Sequence, residues 1–303
     1  MSKDRFYLLD ANASRTARAP LPPGVTLKAG AGDTQGRFTL MEVRGKGGNG
    51  VPTQVPPAKG EFTTHDPARP SEVSHPSDTF IYVLDGDLGI DVDGRTHHLT
   101  SGMCALLPSG VDHALHNLGG ADSLVHTLQL TVPGDRSDDP GDPRRCYVLD
   151  RGAVRPGRIA VPPAFGIKAR TTDTAGRFSF LEVTVAQPIP LHTHHGADEC
   201  IYVLDGALHI DFDGRVHTAG RGQFVLLPHG VPHAIRPGST PPPRVLQISS
   251  PGGWECVVET LIEHRAEVSR AGRFDPAALN RYTRQYHVTY EEEAHEEEAH
   301  EEG

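Results

Sequence analysis

The chain has 303 residues, room for two domains of ordinary size or one large one. Its 29 Lys and Arg against 39 Asp and Glu give a net charge of −10, and eight of the negative charges are glutamates of the tail EEEAHEEEAHEEG. The remainder is close to balance and excludes a nucleic-acid binder, which needs a basic footprint. No run approaches the roughly 20 apolar residues of a spanning helix. The opening MSKDRFYLLD lacks the charged-then-apolar pattern of a signal peptide. The expectation is therefore a cytoplasmic protein with no membrane partner.

In chain order, RFYLLD opens the sequence and GRFTLMEV closes the first group of elements at residue 43. Both recur 140 residues later, as RCYVLD and GRFSFLEV. Between them, 46–65 (KGGNGVPTQVPPAKGEFTTH) is rich in Gly and Pro and reads as a loop insert. Residues 80–116 then match 200–236 at 21 of 37 positions. The chain is a tandem duplication.

Each copy is made of short units. YVLDG is an apolar run closed by Asp-Gly, a hairpin signal. ALHIDFDG alternates with period two and stops at a second Asp-Gly. QFVLLPHG ends at a proline. Six to ten such strands per copy predict an all-β sandwich or barrel. The 33 glycines and 26 prolines suit that reading and argue against a helical bundle.

Domains are expected at 1–143 and 144–265, followed by a helical segment at 266–286 and a disordered acidic tail at 287–303. The helix is placed after Asp275 as N-cap, with Pro276 at its first position. Cys104, Cys146, Cys200 and Cys256 lack CxxC spacing and read as free thiols.

Chemistry concentrates in the second copy. His192 and His194 stand at i and i+2, so on a strand their side chains share a face. Glu199 follows a short bend. Gly222, Pro228 and Gly230 set turns before His233. Three imidazoles and one carboxylate suit a first-row transition ion: iron, manganese, nickel, cobalt or copper, with zinc also compatible. Calcium prefers oxygen ligands. His195 and His229 flank the ligands and read first as exposed loop histidines, with outer partners or proton relays as the alternative. Ile201, Val203 and Ile235 share parity with the ligands and are expected inside the barrel. Tyr202 has the opposite parity, and Phe224 is a further candidate for the substrate wall.

The string His-x-His-x4-Glu-x6-Gly, followed by Gly-x5-Pro-x-Gly-x2-His, resembles the two motifs of the cupins. The duplicated chain is similar to a bicupin of the quercetinase-like type. That resemblance implies two tandem jelly-roll (double-stranded β-helix) barrels. It also implies one metal held by His192, His194, Glu199 and His233, with Glu199 doubling as catalytic base. The implied reaction is a metal-dependent dioxygenation of an enolisable, flavonol-like aromatic. The alternative is a non-redox isomerase, lyase or decarboxylase using the ion as Lewis acid. The partners are then a small-molecule substrate and dioxygen, in a monomer or homodimer.

The first copy keeps Gly86, Gly102, Pro108, Gly110, His113 and Asn117 but has Thr79 where the second has Glu199. Its His-x-His pair becomes Glu72 and Ser74, or Val73 and His75 if the loop is one residue shorter. A weak second site from His75 and His113 is the most it would hold. The first copy is expected to be a structural partner.

Overall fold

The computed structural model describes residues 3–17, 19–46, 77–120, 122–133, 145–270 and 273–291. Most of the loop insert, the positions aligned with the first histidine pair, and the tail beyond residue 291 fall outside these. The first copy supplies β1 (Tyr7–Leu9), β2 (Val25–Ala29), β3 (Thr39–Lys46), β4 (Ser77–Asp85), β5 (Leu88–Val92), β6 (Arg95–Leu99), β7 (Cys104–Leu107), β8 (His113–Asn117) and β9 (Leu124–Pro133). The second supplies β10 (Tyr147–Leu149), β11 (Phe165–Ala169), β12 (Ser179–Thr184), β13 (Ile189–His194), β14 (Asp198–Asp205), β15 (Ala207–Phe212), β16 (Arg215–Gly220), β17 (Phe224–Leu227), β18 (His233–Pro237) and β19 (Arg244–Ser250). A C-terminal segment adds α1 (Trp254–Glu263), α2 (Arg265–Val268), β20 (Ser269–Arg270), β21 (Arg273–Phe274), α3 (Pro276–Thr283) and β22 (Val288–Tyr290).

Each copy folds as a jelly-roll barrel with two sheets. The second barrel has the six-stranded order β1-β17-β14-β19-β12-β11 and the five-stranded order β16-β15-β18-β13-β22. The first has β10-β7-β4-β9-β3-β2 and β6-β5-β8. The Asp-Gly signals sit where predicted. Asp213 and Gly214 both have positive φ in the two-residue turn between β15 and β16, as a type I′ hairpin requires.

Two strands, β1 and β10, cross between the copies. A cut at 143/144 separates the repeats but not the sheets. β1 pairs with β17 of the other copy, Tyr7 opposite Leu226, and β10 pairs with β7, Tyr147 opposite Leu106. Each copy thus lends the other an edge strand, which caps an otherwise open row of backbone groups. Tyr7 then donates its hydroxyl proton to the Lys28 carbonyl at 2.7 Å, and Tyr147 does the same to Lys168 at 2.8 Å.

The two six-stranded sheets meet face to face. Strand alternation therefore buries both faces. Ile201 and Val203 pack inside the second barrel with Ile235, as parity predicts. Cys200 and Tyr202 pack between the barrels, with Phe80, Tyr82, Phe178 and Phe180. The rings of Phe80 and Phe180, one from each copy, lie 4.5 Å apart. Phe224 belongs to this inter-barrel core and is fully buried there, so it does not face the barrel interior. Its neighbour Val225 does.

The C-terminal segment differs from expectation in two places. α3 is capped as predicted: Asp275 Oδ1 accepts from the Ala277 and Ala278 amides at 3.0 and 3.2 Å. But α1 lies in the stretch assigned to the barrel. Trp254, Val257, Val258, Leu261 and Ile262 recur at helical spacing, and they pack against the barrel core. The tail also starts later than residue 287. Val288 and Tyr290 are buried, and β22 pairs with β13, because two apolar residues at period two fit the barrel edge despite the acidic run behind them. No helix among the described residues is long and apolar enough to cross a membrane. Cys104 and Cys200 are buried free thiols, while Cys146 and Cys256 are half-buried.

A buried ion network supports the first sheet. Glu42, 1% exposed, meets Lys28 Nζ, His126 Nε2 and an Arg44 guanidinium nitrogen, each at 2.6 Å. Burial works to raise its carboxyl, but the His126 and Lys28 partners outweigh that and hold it at about 2. A carboxyl depressed on folding stabilises the protein above its unfolded value, near 4.5. That contribution is lost as pH falls through about 2. Glu42→Gln should therefore cost about 3 kcal/mol at pH 7. The gap to the parent should close as pH approaches 2 in chemical denaturation curves. A gap independent of pH would contradict the charge-pair account.

Candidate metal centre

β13 and β18, neighbours in the five-stranded sheet, and β14 from the facing six-stranded sheet bring the four predicted ligands together inside the second barrel. His192 and His194 project inward from β13. Glu199 stands at the start of β14, and His233 begins β18 opposite His192. All four are 1–3% exposed. Their ligand atoms all lie within 4.8 Å of one another. Among the described residues, this is the one such group of three or more His, Cys, Asp or Glu side chains.

The hydrogen bonds decide which atoms face the centre. His192 Nδ1 lies 2.8 Å from the Pro190 carbonyl, and His233 Nδ1 lies 3.1 Å from the Val231 carbonyl. A carbonyl oxygen only accepts, so both Nδ1 atoms carry the proton and both Nε2 atoms present lone pairs. His192 Nε2 is 3.2 Å from His194 Nε2. Glu199 Oε2 is 3.0 Å from His233 Nε2 and 3.4 Å from His194 Nε2. Acceptors this close repel one another unless a cation sits among them. Bonds of about 2.0–2.1 Å to one ion place adjacent ligand atoms roughly 3 Å apart. The donor set therefore fits a divalent transition ion.

Electrostatics favour the same forms. Burial, then the neighbouring His233 and His194, take His192 well below the ordinary imidazole range, which keeps it neutral and ready to ligate. Burial also lowers His194. For Glu199 burial opposes the charge, but hydrogen bonds and positive charge from the His194 and His233 rings, where those carry a proton toward it, outweigh burial and hold the carboxyl well below its usual range; a cation at the centre would take the same role.

A second ring of contacts fixes the ligands. Gln247 on β19 donates from Nε2 to Glu199 Oε1 at 2.6 Å, leaving Oε2 for the centre. Sequence reasoning missed Gln247. The signal was available in the repeat, since HTLQL (126–130) and RVLQI (244–248) place Gln129 and Gln247 at matching positions. Asp198, next to Glu199, forms an ion pair with Arg5 from the first copy. Its Oδ1 also accepts from the His229 amide at 3.0 Å and lies 2.7 Å from His229 Nδ1. His229 is thus an outer partner of the site. His195 is exposed, with Nε2 2.8 Å from Thr289 Oγ1, and it ties β13 to the C-terminal strand. In the first copy the same clamp recurs: Arg145 binds Asp78 at 2.9 Å, and the Ser109 amide donates to Asp78 Oδ1 at 2.9 Å. His113 is buried with Nδ1 2.9 Å from the Val111 carbonyl, but Thr79 replaces the carboxylate. The positions aligned with the missing histidine pair, His75 included, lie outside the described residues.

Two aromatic rings complete the surroundings. Trp254, from α1, lies 4.8 Å from the His194 ring, and Tyr290, from β22, stacks on His192 at 5.3 Å. The wall behind them is apolar, with Ile201, Val225, Leu227 and Ile235.

Comparison with known proteins agrees with this architecture. Residues 61–128 and 180–248 match the cupin domain, so the chain carries two cupin domains. It is similar to germin-like protein 1 of Brassica napus, at 33% identity over 119 residues, covering 36% of this chain and 53% of that protein. The chain spans about half the length of the curated relatives it matches. Among solved structures it resembles protein YlbA from E. coli, with a TM-score of 0.56 and 12% identity over 81% of this chain and 90% of that one. It also resembles a salicylate 1,2-dioxygenase variant from Pseudoaminobacter salicylatoxidans in complex with gentisate. There the TM-score is 0.51 and the identity 12%, over 77% and 76% of the two chains. Identities this low establish the shared fold alone.

Trp254 is the sole tryptophan of the chain, so its emission reports on the centre. Titration with Co2+ or Cu2+ should quench most of that emission at one equivalent, and His194→Ala should abolish the effect. Gln247→Leu should leave the stoichiometry at one but weaken metal affinity about 10–100-fold. Quenching that survives His194→Ala would place the metal elsewhere.

Proposed function

We propose that the chain is a metal-dependent dioxygenase acting on a small enolisable aromatic compound, with its active site in the second barrel. The observation that carries this reading is the convergence of three buried imidazoles and one buried carboxylate on one point beside the rings of Trp254 and Tyr290. Four protein ligands on an ion that takes five or six leave room for one or two guests. A redox-active divalent ion in this position supplies Lewis acidity and a route for electrons between an enolate and dioxygen.

The protein's own residues do the rest. Glu199 Oε2 accepts the hydroxyl proton of the substrate, and Gln247 steadies the carboxylate from the other oxygen as its charge changes. His192 and His233 are kept in one tautomer by their backbone carbonyls and do not compete for that proton. The apolar wall of Ile201, Val225, Leu227 and Ile235 excludes water, which strengthens each polar contact inside and protects reactive species.

The metal-loaded protein should consume oxygen when given phenolic or enolic aromatics, followed with an oxygen electrode. Glu199→Gln should lower turnover about 10^2–10^4-fold while retaining more metal than activity. Equal turnover under strict anaerobiosis would overturn the dioxygenase reading and assign the same site to a non-redox isomerase, lyase or decarboxylase.

A further inference from the structure

A cleft of about 400 Å3 lies between the two copies. Tyr82, Leu84 and Ser101 line it from the first copy, and Glu182, Leu204 and Arg244 from the second. That volume falls within the roughly 300–1,000 Å3 of small-molecule sites. Asp205 also lines the cleft and ends β14, while Glu199 lies at the other end of that strand. At about 3.3 Å per residue the cleft is roughly 20 Å from the metal centre.

Three arginines line this cleft: Arg151, Arg221 and Arg244. Arg244 is already committed, since its Nη2 binds Glu182 Oε1. The other Glu182 oxygen accepts from the Tyr82 hydroxyl at 3.0 Å and lies 3.5 Å from Lys168 Nζ. The Glu182 charge is thus answered by residues in place. Arg151 and Arg221 are exposed, and among the described residues neither side chain makes an ion pair or a hydrogen bond. Arg151 lies along the wall of the cleft. A Cβ on Gly102, itself a lining residue, would stand 3.1 Å from Arg151 Cγ, 3.5 Å from Cδ and 3.6 Å from Nε. Gly102 has a φ of +85°, so glycine serves both the turn and the arginine that crosses it. Arg151, Arg221, Arg244 and Lys168 together face Glu182 and Asp205, four positive charges against two negative.

The duplication shows that the two uncommitted arginines are additions. RCYVLDRG (145–152) matches RFYLLDAN (5–12), so Ala11 takes the place of Arg151. Ala11 Cβ stands 3.1 Å from the Cβ position of Gly222, the match of Gly102. Arg221 in turn matches Ser101, whose hydroxyl donates to the Leu84 carbonyl at 2.9 Å. A turn that forms with Ala and Ser does not need arginine for its fold. We infer that the inter-barrel cleft binds a small organic dianion of the dicarboxylate type. Arg151 and Arg221 clamp its carboxylates, and its carbon chain lies against Leu84 and Leu204. Planar guanidinium forks match carboxylate oxygens in pairs. The two leucines favour a ligand with methylenes over inorganic phosphate. Bound there, the dianion touches both copies and is independent of the metal centre.

The test titrates succinate into the full-length, metal-free protein by calorimetry. One equivalent should bind with a Kd of about 1 mM or tighter. Arg151→Ala and Arg221→Ser each take the matching residue of the first copy, at exposed positions, so both variants should fold as the parent does. Each should weaken succinate about tenfold or more, as expected for lost hydrogen bonds between charged groups. Their Co2+ quenching of Trp254 should be unchanged. Propionate and inorganic phosphate should bind more weakly than succinate. Absence of saturable succinate binding, or equal affinity in the parent and both variants, would overturn the inference. Phosphate binding as tightly as succinate would overturn the dicarboxylate assignment. Loss of succinate binding in His194→Ala would place the anion at the metal centre and overturn it as well.

Discussion

A carboxylate and the lone pairs of His192 and His233, buried together with the His194 ring and aimed at one point, call for positive charge between them. That constraint organises the second domain. Removing Glu199 from water is costly unless a counter-charge compensates it. The neighbouring contacts are arranged so that compensation comes at the centre and not at the rim. Gln247 takes Oε1, and the Pro190 and Val231 carbonyls take the outer imidazole protons. What remains unsatisfied all points inward. The ion that fits there joins β13, β14 and β18, so metal binding and the local order of the barrel end are linked.

The rest of the molecule holds those three strands in register. Asp198 precedes Glu199 and is clamped by Arg5, which reaches it only because β1 crosses to the second barrel. The reciprocal crossing of β10 places Arg145 on Asp78. The exchange explains why a copy without the full ligand set is retained as a scaffold. It supplies an edge strand, an arginine at the metal end, and half of the inter-barrel core. Thr79 in place of the carboxylate removes a buried charge that would need a partner of opposite sign, while the shared frame persists. Gly86 and Gly206 illustrate that frame. Both have positive φ, and a Cβ at Gly86 would come within 2.2 Å of the Leu124 carbonyl oxygen. The turn after YVLD thus needs glycine in both copies, whichever one binds metal.

Much of this was legible in the residues themselves. The hairpin turns follow from Asp-Gly pairs, the facing of Ile201 and Tyr202 from strand parity, and the ligand set from spacing. The α3 cap follows from Asp275-Pro276. Other features were present but masked by a stronger neighbouring signal. The i, i+3, i+4, i+7 spacing from Trp254 lies in a chain otherwise read as strands, and Val288–Tyr290 abuts an acidic run that reads as solvated. The strand exchange had no local signature. Arg5 and Asp198 are 193 residues apart in sequence, and nothing in either segment says which barrel β1 will join. The same holds for Phe224, whose inward or inter-barrel facing depends on a register that only the packed sheets establish.

The barrels share their fold with proteins of different chemistry, so the frame alone does not select a reaction. Selection has to come from what differs between this barrel and its own duplicate, since both carry the same turns, the same clamp and a matching glutamine. Two differences within the described residues bear on the metal centre: the carboxylate at position 199, and the segment that brings Trp254 and Tyr290 against the ligand imidazoles. The first determines whether an ion is held with the strength of four ligands. The second determines what packs against the His192 and His194 rings. A barrel with the four ligands and no C-terminal segment would leave His192 and His194 uncovered on the side now stacked by aromatic rings. The aromatic cover on the His192 and His194 rings is therefore built by residues outside the repeat.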